Sequence, residues 1–266
     1  MERIKATYFG YDTYKASLNM AIDEVLEKEA GEKGITYLRF YDTPSNAIVL
    51  SISDHPSVIK ANKDEIEITR RTTGGKPIFL GENTLSYSIE AQIKEIYKEA
   101  KSIPDPNDLH RILGEHMLIA LKYALGLEED RIKLGETYSI TVDGLPIAGH
   151  AQHITNKAII YHGVVAIDKW DADYISKRLL LRDGDFEKLN ELPYAKKFSR
   201  YDTKTLKLKI IEQMLKTIKQ IDDNEKSRII EKAKELEEGI YSDIKWVFRE
   251  EDSLKKNSTF CFLYNG

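Results

Sequence analysis

Residues 70 to 76, Arg-Arg-Thr-Thr-Gly-Gly-Lys, gather three cations around a pair of glycines. Gly74 and Gly75 can take positive φ and carry no Cβ, so a ligand can lie against the backbone there and meet its N–H groups. The alternating run at 65 to 69 (EIEIT) reads as a strand, which points Arg70 and Arg71 to opposite faces. Only one of them can face the turn, with Lys76 as a second local cation. A carboxylate or phosphate held between one arginine, the turn amides and a lysine is the chemistry this composition suits. A Walker loop is not present, because Pro77 follows Lys76 where Ser or Thr is required, and no Gly-x-Gly-x-x-Gly occurs in the stretch. A glycine turn between strands with solvated charges accounts for the same residues equally well.

The other reactive side chains narrow the classes. Cys261 is the single cysteine, so neither an intramolecular disulfide nor a cysteine-rich metal site can form, and a reducing cytoplasm suits the chain best. His150 and His153 stand three apart on an expected strand and face opposite sides, so they make no metal pair and no metal site is expected. His150, between Gly149 and Ala151, either faces a pocket as a hydrogen-bond donor or base, or packs. His162, in Tyr-His-Gly, orients its surroundings by hydrogen bonding rather than titrating. Lys plus Arg total 40 against 44 for Asp plus Glu, a formal charge of −4, so no basic excess marks a nucleic-acid binder. Nowhere do about 18 uncharged apolar residues run together, so no membrane span or secretory signal is indicated.

These residues need elements to position them. The 266 residues, 41% hydrophobic, can build a sizeable core without metals or disulfides. Residues 15 to 30 place Leu18, Ala21, Ile22, Val25 and Leu26 at helical spacing, which predicts an amphipathic helix laid on a sheet with its charges opposite. Residues 35 to 42 and 46 to 53, β-branched and aromatic, read as paired strands around Thr-Pro-Ser. Another strand is expected at 85 to 90, then a helix over 107 to 126 that ends at a glycine. Asp143-Gly144 is a strong two-residue hairpin signal and Thr155-Asn156 a second turn, giving three antiparallel strands over 137 to 168. Beyond about residue 170 the pattern is helical, with residues 259 to 266 the expected place of an added edge strand. No repeat or linker divides the chain, so one α+β domain is expected.

Four stretches resemble, in order, the lipoate-protein ligase A and octanoyl/lipoyl transferase branch of the biotin/lipoate protein ligase superfamily. They are NMAIDEVLEKEA (19 to 30), LRFYDTPSNAIVLSIS (38 to 53), RRTTGGKPIFLGENTLSYSI (70 to 89) and ITVDGLPIAGHAQHITNKAIIYHGVVAI (140 to 167). YSDIKWVFRE (241 to 250) is similar to the family's closing region more loosely. The resemblance implies an α+β fold with a mixed, largely antiparallel sheet and flanking helices, like class II synthetases. It implies one ligase-like domain over 1 to 266, with a core to about 190 and a helical portion after it. It implies activation of lipoate or octanoate with ATP and Mg2+, or acyl transfer between carriers. The acceptor would be a lysine of a lipoyl-domain protein, of the glycine cleavage H-protein or 2-oxoacid dehydrogenase E2 type, and a separate accessory subunit would complete the system. By the same resemblance Arg71, Lys76, Pro77, Ile78 and Phe79 line the nucleotide side. Arg70, Thr73, Gly74, Gly75, Gly149, His150, Ala151 and His162 line the acyl side.

The chain departs from that family pattern at three places. The family's His-Asp after the glycines falls on Leu80-Gly81, its third glycine on Lys76, and the lysine before Ile-Ala-Gly on Pro146. That lysine stabilises charge developing during adenylation, a service typically worth several kcal/mol. A substitute would come from Lys157, the first candidate because it lies in the same β unit, or from Lys76 or Lys133, while a solvated turn lysine is the plainer reading of Lys157. Transferases of this branch use a cysteine thiolate, and Cys261, in an apolar-aromatic run far from both motifs, is expected to be a buried structural residue instead. A paralogue that kept the pocket but lost adenylation, serving as a binding subunit, is the alternative reading.

Overall fold

A computed structural model describes residues 5–62, 64–96, 105–135, 137–215 and 219–250. In chain order they begin with β1 (Thr7–Thr13), α1 (Ala16–Lys33), β2 (Tyr37–Asp42), β3 (Ala47–Leu50), β4 (Glu67–Arg70), β5 (Ile78–Leu80) and β6 (Thr84–Gln92). There follow α2 (Ile93–Ile96), α3 (Pro106–Leu125), β7 (Ile132–Leu134), β8 (Ser139–Val142), β9 (Leu145–Ile154) and β10 (Ala158–Ala166). The rest is α4 (Ala172–Ser176), α5 (Asp185–Glu191), α6 (Thr203–Met214), β11 (Lys219–Gln220), α7 (Asp223–Leu236) and α8 (Ile244–Val247).

The expected α+β architecture is present. An eight-stranded sheet runs β11-β1-β2-β6-β10-β9-β8-β7, parallel only where β1 meets β11 and β2. A three-stranded sheet runs β4-β3-β5. Asp143 and Gly144 both take positive φ (52° and 83°), which a type I′ hairpin demands, and they join β8 to β9 as their dipeptide predicts. Asp105 caps the start of α3, Pro106 opens it, and Gly126 closes it at φ 64°.

Two expectations are corrected. The stretches 35–42 and 46–53 are not paired with each other, because both edges of β2 are taken, by β1 on one side and β6 on the other. The chain turns at Thr43–Asn46 into the smaller sheet, where β3 pairs with β4 and β5. Nor are all the polar groups of α1 solvated, although Lys28, Glu32 and Lys33 are exposed. Asn19, Asp23, Glu27 and Glu29 are all buried, because the large sheet covers one side of the helix, while α7 and the π-turn at Glu237–Tyr241 pack on it as well. Glu29 is met by Lys33, Arg228 and Lys232 at 2.8–2.9 Å. Cys261 and the edge strand expected at 259 to 266 lie outside the described residues.

Alternation along the central strands divides the interior in two. Leu38, Phe40, Leu85, Tyr87, Ile89, Ile159, Tyr161 and Val165 pack with Leu109, Leu113 and Met117 of α3 and with Leu206 and Ile210 of α6. The alternate residues of the same strands, among them Tyr37, Tyr41 and Val164, face α1 and the small sheet.

Candidate functional site

The glycine loop leaves β4 between the two sheets. As the strand alternation predicts, its two arginines part company. Arg70 is fully buried and spends its guanidinium on the carbonyls of Ser51 (2.8 Å), Asp54 (2.7 Å) and Val247 (2.9 and 3.1 Å), tying α8 to the small sheet. It does not border the cavity that the loop helps to form, contrary to its expected place on the acyl side. Arg71 turns the other way and holds the loop itself. Nε donates to Thr73 Oγ1 at 2.8 Å, Nη1 to the Val49 carbonyl at 3.2 Å, and Nη2 to the carbonyls of Gly74 (2.7 Å) and Lys76 (2.8 Å). Gly75 sits at φ 97°, a conformation that favours glycine, and a Cβ there would lie 3.1 Å from Arg71 Nη2, a tight approach.

Between this loop and strands β9 and β10 lies a cavity. Met20, Tyr41, Val49, Ile78, Leu80 and Val164 form its apolar walls. Gly149, His150, Ala151, His162 and Gly163 close the opposite side, and Arg71 and Lys76 supply the cations. All of these are buried except Lys76 and Ala151, which are half-buried, so the lining is mostly apolar and its less buried part includes Lys76. Leu80 adds to the apolar wall. Of the other expected residues, Gly74 and Thr73 belong to the loop without lining the cavity. Pro77 lies beside it, and Phe79 points away, meeting Tyr174 edge-on at 5.4 Å.

Lys157 is the solvated turn lysine of its plainer reading and does not border the cavity. It is exposed on the β9–β10 turn and lines a separate groove with Glu24, Glu27 and His153. Lys133 is exposed on β7, at the edge of the sheet. Among the described lysines, Lys76 is the one that borders the cavity.

The histidines separate as spacing predicts. His153 faces α1 and bonds Glu27 at 3.0 Å, which raises the imidazole's pKa, while burial raises the carboxyl's. The His150 ring lies on the α3 side, stacked on Tyr161 with centroids 5.2 Å apart and bonded to the Tyr138 carbonyl at 3.1 Å. Burial pushes it well below the usual histidine range, so it is neutral packing there. Gly163 makes this fit, since a Cβ at that position would drive into the His150 and Tyr87 rings. His162, by contrast, sits among charges. Its Nδ1 is 3.0 Å from Asp23 Oδ2 and its Nε2 2.7 Å from Thr73 Oγ1. Asp23 also accepts from Arg39 Nη1 at 2.9 Å and Ser88 Oγ at 3.0 Å. Burial depresses the His162 pKa against the upward pull of Asp23. Sequence reasoning gave no place to Asp23, Arg39 or Ser88 in this network. The coincidence of a helix aspartate with strand polar residues at buried register positions was the available signal.

Among the described residues no group of three or more metal-ligating side chains converges, and no helix is long and apolar enough to cross a membrane.

The family model of the lipoyl protein ligase A/B catalytic domain matches residues 15–179. No curated protein sequence matches the chain. Among solved structures, one similar fold comes from a study of a bi-partite lipoate protein ligase and its E2 lipoyl domain from Thermoplasma acidophilum. It has a TM-score of 0.72 at 19% identity, covering 94% of this chain and 99% of that one. Lipoate-protein ligase A bound with ATP gives 0.72 at 18%, covering 92% and 99%. Protein Ta0514 of T. acidophilum with bound lipoic acid gives 0.70 at 18%, covering 92% and 100%. At these identities the structural likeness is one of fold, and the family model carries the assignment. From residue 15 through the glycine loop to the β9–β10 wall, the chain belongs to the lipoyl protein ligase A/B catalytic domain family.

Proposed function

We propose that the protein activates lipoate or octanoate with ATP and passes the acyl group to a lysine of a lipoyl-domain protein, with residues 1 to 266 acting as one ligase domain. The observation that carries this is the cavity, its walls largely apolar and buried, with the half-buried Lys76 among the residues that line it. An acyl chain would leave water for the Met20, Val49, Ile78, Leu80 and Val164 walls, at a gain of about 0.8 kcal/mol per buried methylene. Its carboxylate would remain beside Lys76. In the first step a carboxylate oxygen bonds to the α-phosphorus of ATP and pyrophosphate leaves. In the second the acceptor lysine's amine bonds to the acyl carbon and AMP leaves. Negative charge grows on the bridging and α-phosphate oxygens in both steps, and Lys76 supplies the cation that position 146 lacks. Mg2+ would arrive with the triphosphate. Arg71 shapes the loop by holding carbonyls, and Gly149 and Ala151 wall the acyl side. Relatives described as bound with ATP, bound with lipoic acid, and studied with an E2 lipoyl domain support these choices of substrate and acceptor, and the bi-partite relative supports a separate accessory subunit.

Incubating the full chain with ATP, lipoate or octanoate and a lipoyl-domain acceptor should add one acyl mass to the acceptor lysine. If neither acyl-adenylate nor modified acceptor forms, with the accessory subunit present, the ligase reading fails. Pro146 favours a second reading, a binding subunit without adenylation. Activity that emerges only on Pro146→Lys would select it.

A further inference from the structure

We infer that His162 is a positioning residue that joins α1 to the glycine loop through Thr73, and so holds Lys76 over the cavity. The kinetic part of its test rests on the ligase reading, whereas the geometry does not.

Thr73 Oγ1 has two close neighbours, Arg71 Nε at 2.8 Å and His162 Nε2 at 2.7 Å. A guanidinium only donates, so the hydroxyl oxygen accepts from Arg71, and with burial holding the His162 ring neutral the hydroxyl's single proton goes to that ring. That proton can be accepted only if Nε2 carries none. On the other edge of the ring, Nδ1 faces Asp23 Oδ2 at 3.0 Å, and a carboxylate only accepts, so Nδ1 bears the proton. One neutral tautomer satisfies both contacts, and donation then runs in one direction, from Arg71 to Thr73 to His162 to Asp23. Asp23 is pinned in turn by Arg39 and Ser88, from β2 and β6. At the other end, Arg71 grips the Gly74 and Lys76 carbonyls. The series therefore connects the first helix, three strands of the large sheet and the loop that carries the cavity's lysine.

A hydroxyl, an imidazole and a carboxylate in series also describe a nucleophile with its base. Burial decides against that use. Thr73 has no exposed surface, does not line the cavity, and has its oxygen engaged by Arg71. The same three groups serve instead to fix a loop whose glycine at φ 97° gives it little stiffness of its own.

Thr73→Val keeps the shape and removes both hydrogen bonds, and Thr73→Ser keeps the hydroxyl. In the unaltered protein, 15N NMR of the His162 ring should show a protonated Nδ1 and a bare Nε2. Amide exchange at residues 74 to 76 should quicken in the valine variant and stay near the original in the serine variant. For acyl-adenylate formation, the valine variant should lose about 100-fold in kcat, the usual scale for a reacting group displaced by about 1 Å, with KM for the acid within about threefold. The serine variant should retain kcat within about threefold. A proton on Nε2, or loop exchange unchanged by valine, overturns the inference whether or not the protein is an active ligase. Unaltered kcat in the valine variant of an active enzyme overturns it too. An inactive parent protein counts against the ligase reading alone, since the NMR and exchange results still decide this one.

Discussion

Strands β2, β6 and β10 present two unlike faces to two unlike helices. Toward α3 they offer Leu38, Phe40, Leu85, Ile89, Ile159 and Val165, a contact that dispersion and water exclusion hold together without direction. Toward α1 the same strands offer Arg39, Ser88, Glu90 and His162, all buried, against Asn19, Asp23 and Glu27. Burying these groups costs free energy that their mutual bonds must offset, and apolar replacements of like volume often do as well. What the polar face has that the apolar face lacks is direction. Each hydrogen bond fixes an angle and a partner, and the cavity borders this face, through Tyr41, His162 and Val164.

The contrast can be broken from either side. The largest expected effect is on the polar face, where Arg39→Leu strands the Asp23 carboxylate in the interior and should lower unfolding free energy by about 3–5 kcal/mol in urea titrations. Joint replacement of Asp23 by Leu should recover much of this stability and none of the activity. On the apolar face, Leu113→Ala should cost about 2–5 kcal/mol, from lost transfer energy plus a cavity, yet leave kcat within about threefold below the melting range. If Leu113→Ala impaired adenylation as much as Thr73→Val, the distinction between the faces would be gone.

Glu90 gives a smaller, pH-dependent effect. Burial and the neighbouring Asp23 charge hold its carboxyl pKa well above the usual range, so the folded state keeps a proton that the unfolded state releases above about pH 4.3. Stability is therefore lost as pH rises from that value toward the folded pKa, at up to about 1.4 kcal/mol per pH unit. Glu90→Gln should remove this slope and raise the melting temperature at pH 8 relative to the parent, with little difference at pH 4. Smallest of all, Lys157→Ala on the exposed β9–β10 turn should leave acyl transfer within about twofold, the range of ordinary surface substitutions.

What was legible in the sequence had local causes. The Asp143-Gly144 hairpin follows from two residues that tolerate positive φ, the end of α3 from Gly126, and the divergence of Arg70 from Arg71 from strand alternation. The resemblance located the glycine loop and the β9–β10 wall. What stayed hidden depends on partners remote in the chain. Arg70 is claimed by the Val247 carbonyl, 177 residues away, and Asp23 meets His162 across 139. Glu29 of α1 looks solvated until α7 brings Arg228 and Lys232 to it. Lys157 drew notice because it shares a β unit with Pro146, but a hairpin carries its tip away from its middle, where the cavity lies.

The central claim is that Lys76 supplies the cation for adenylation, and pyrophosphate release in a single turnover tests it most directly. The full chain, mixed with ATP and lipoate, should release one pyrophosphate per acyl-adenylate formed. Lys76→Ala should slow that release by about 100-fold or more, the usual cost of removing one preorganised charge partner, while still binding lipoate. Release at the parent rate from Lys76→Ala would contradict the claim.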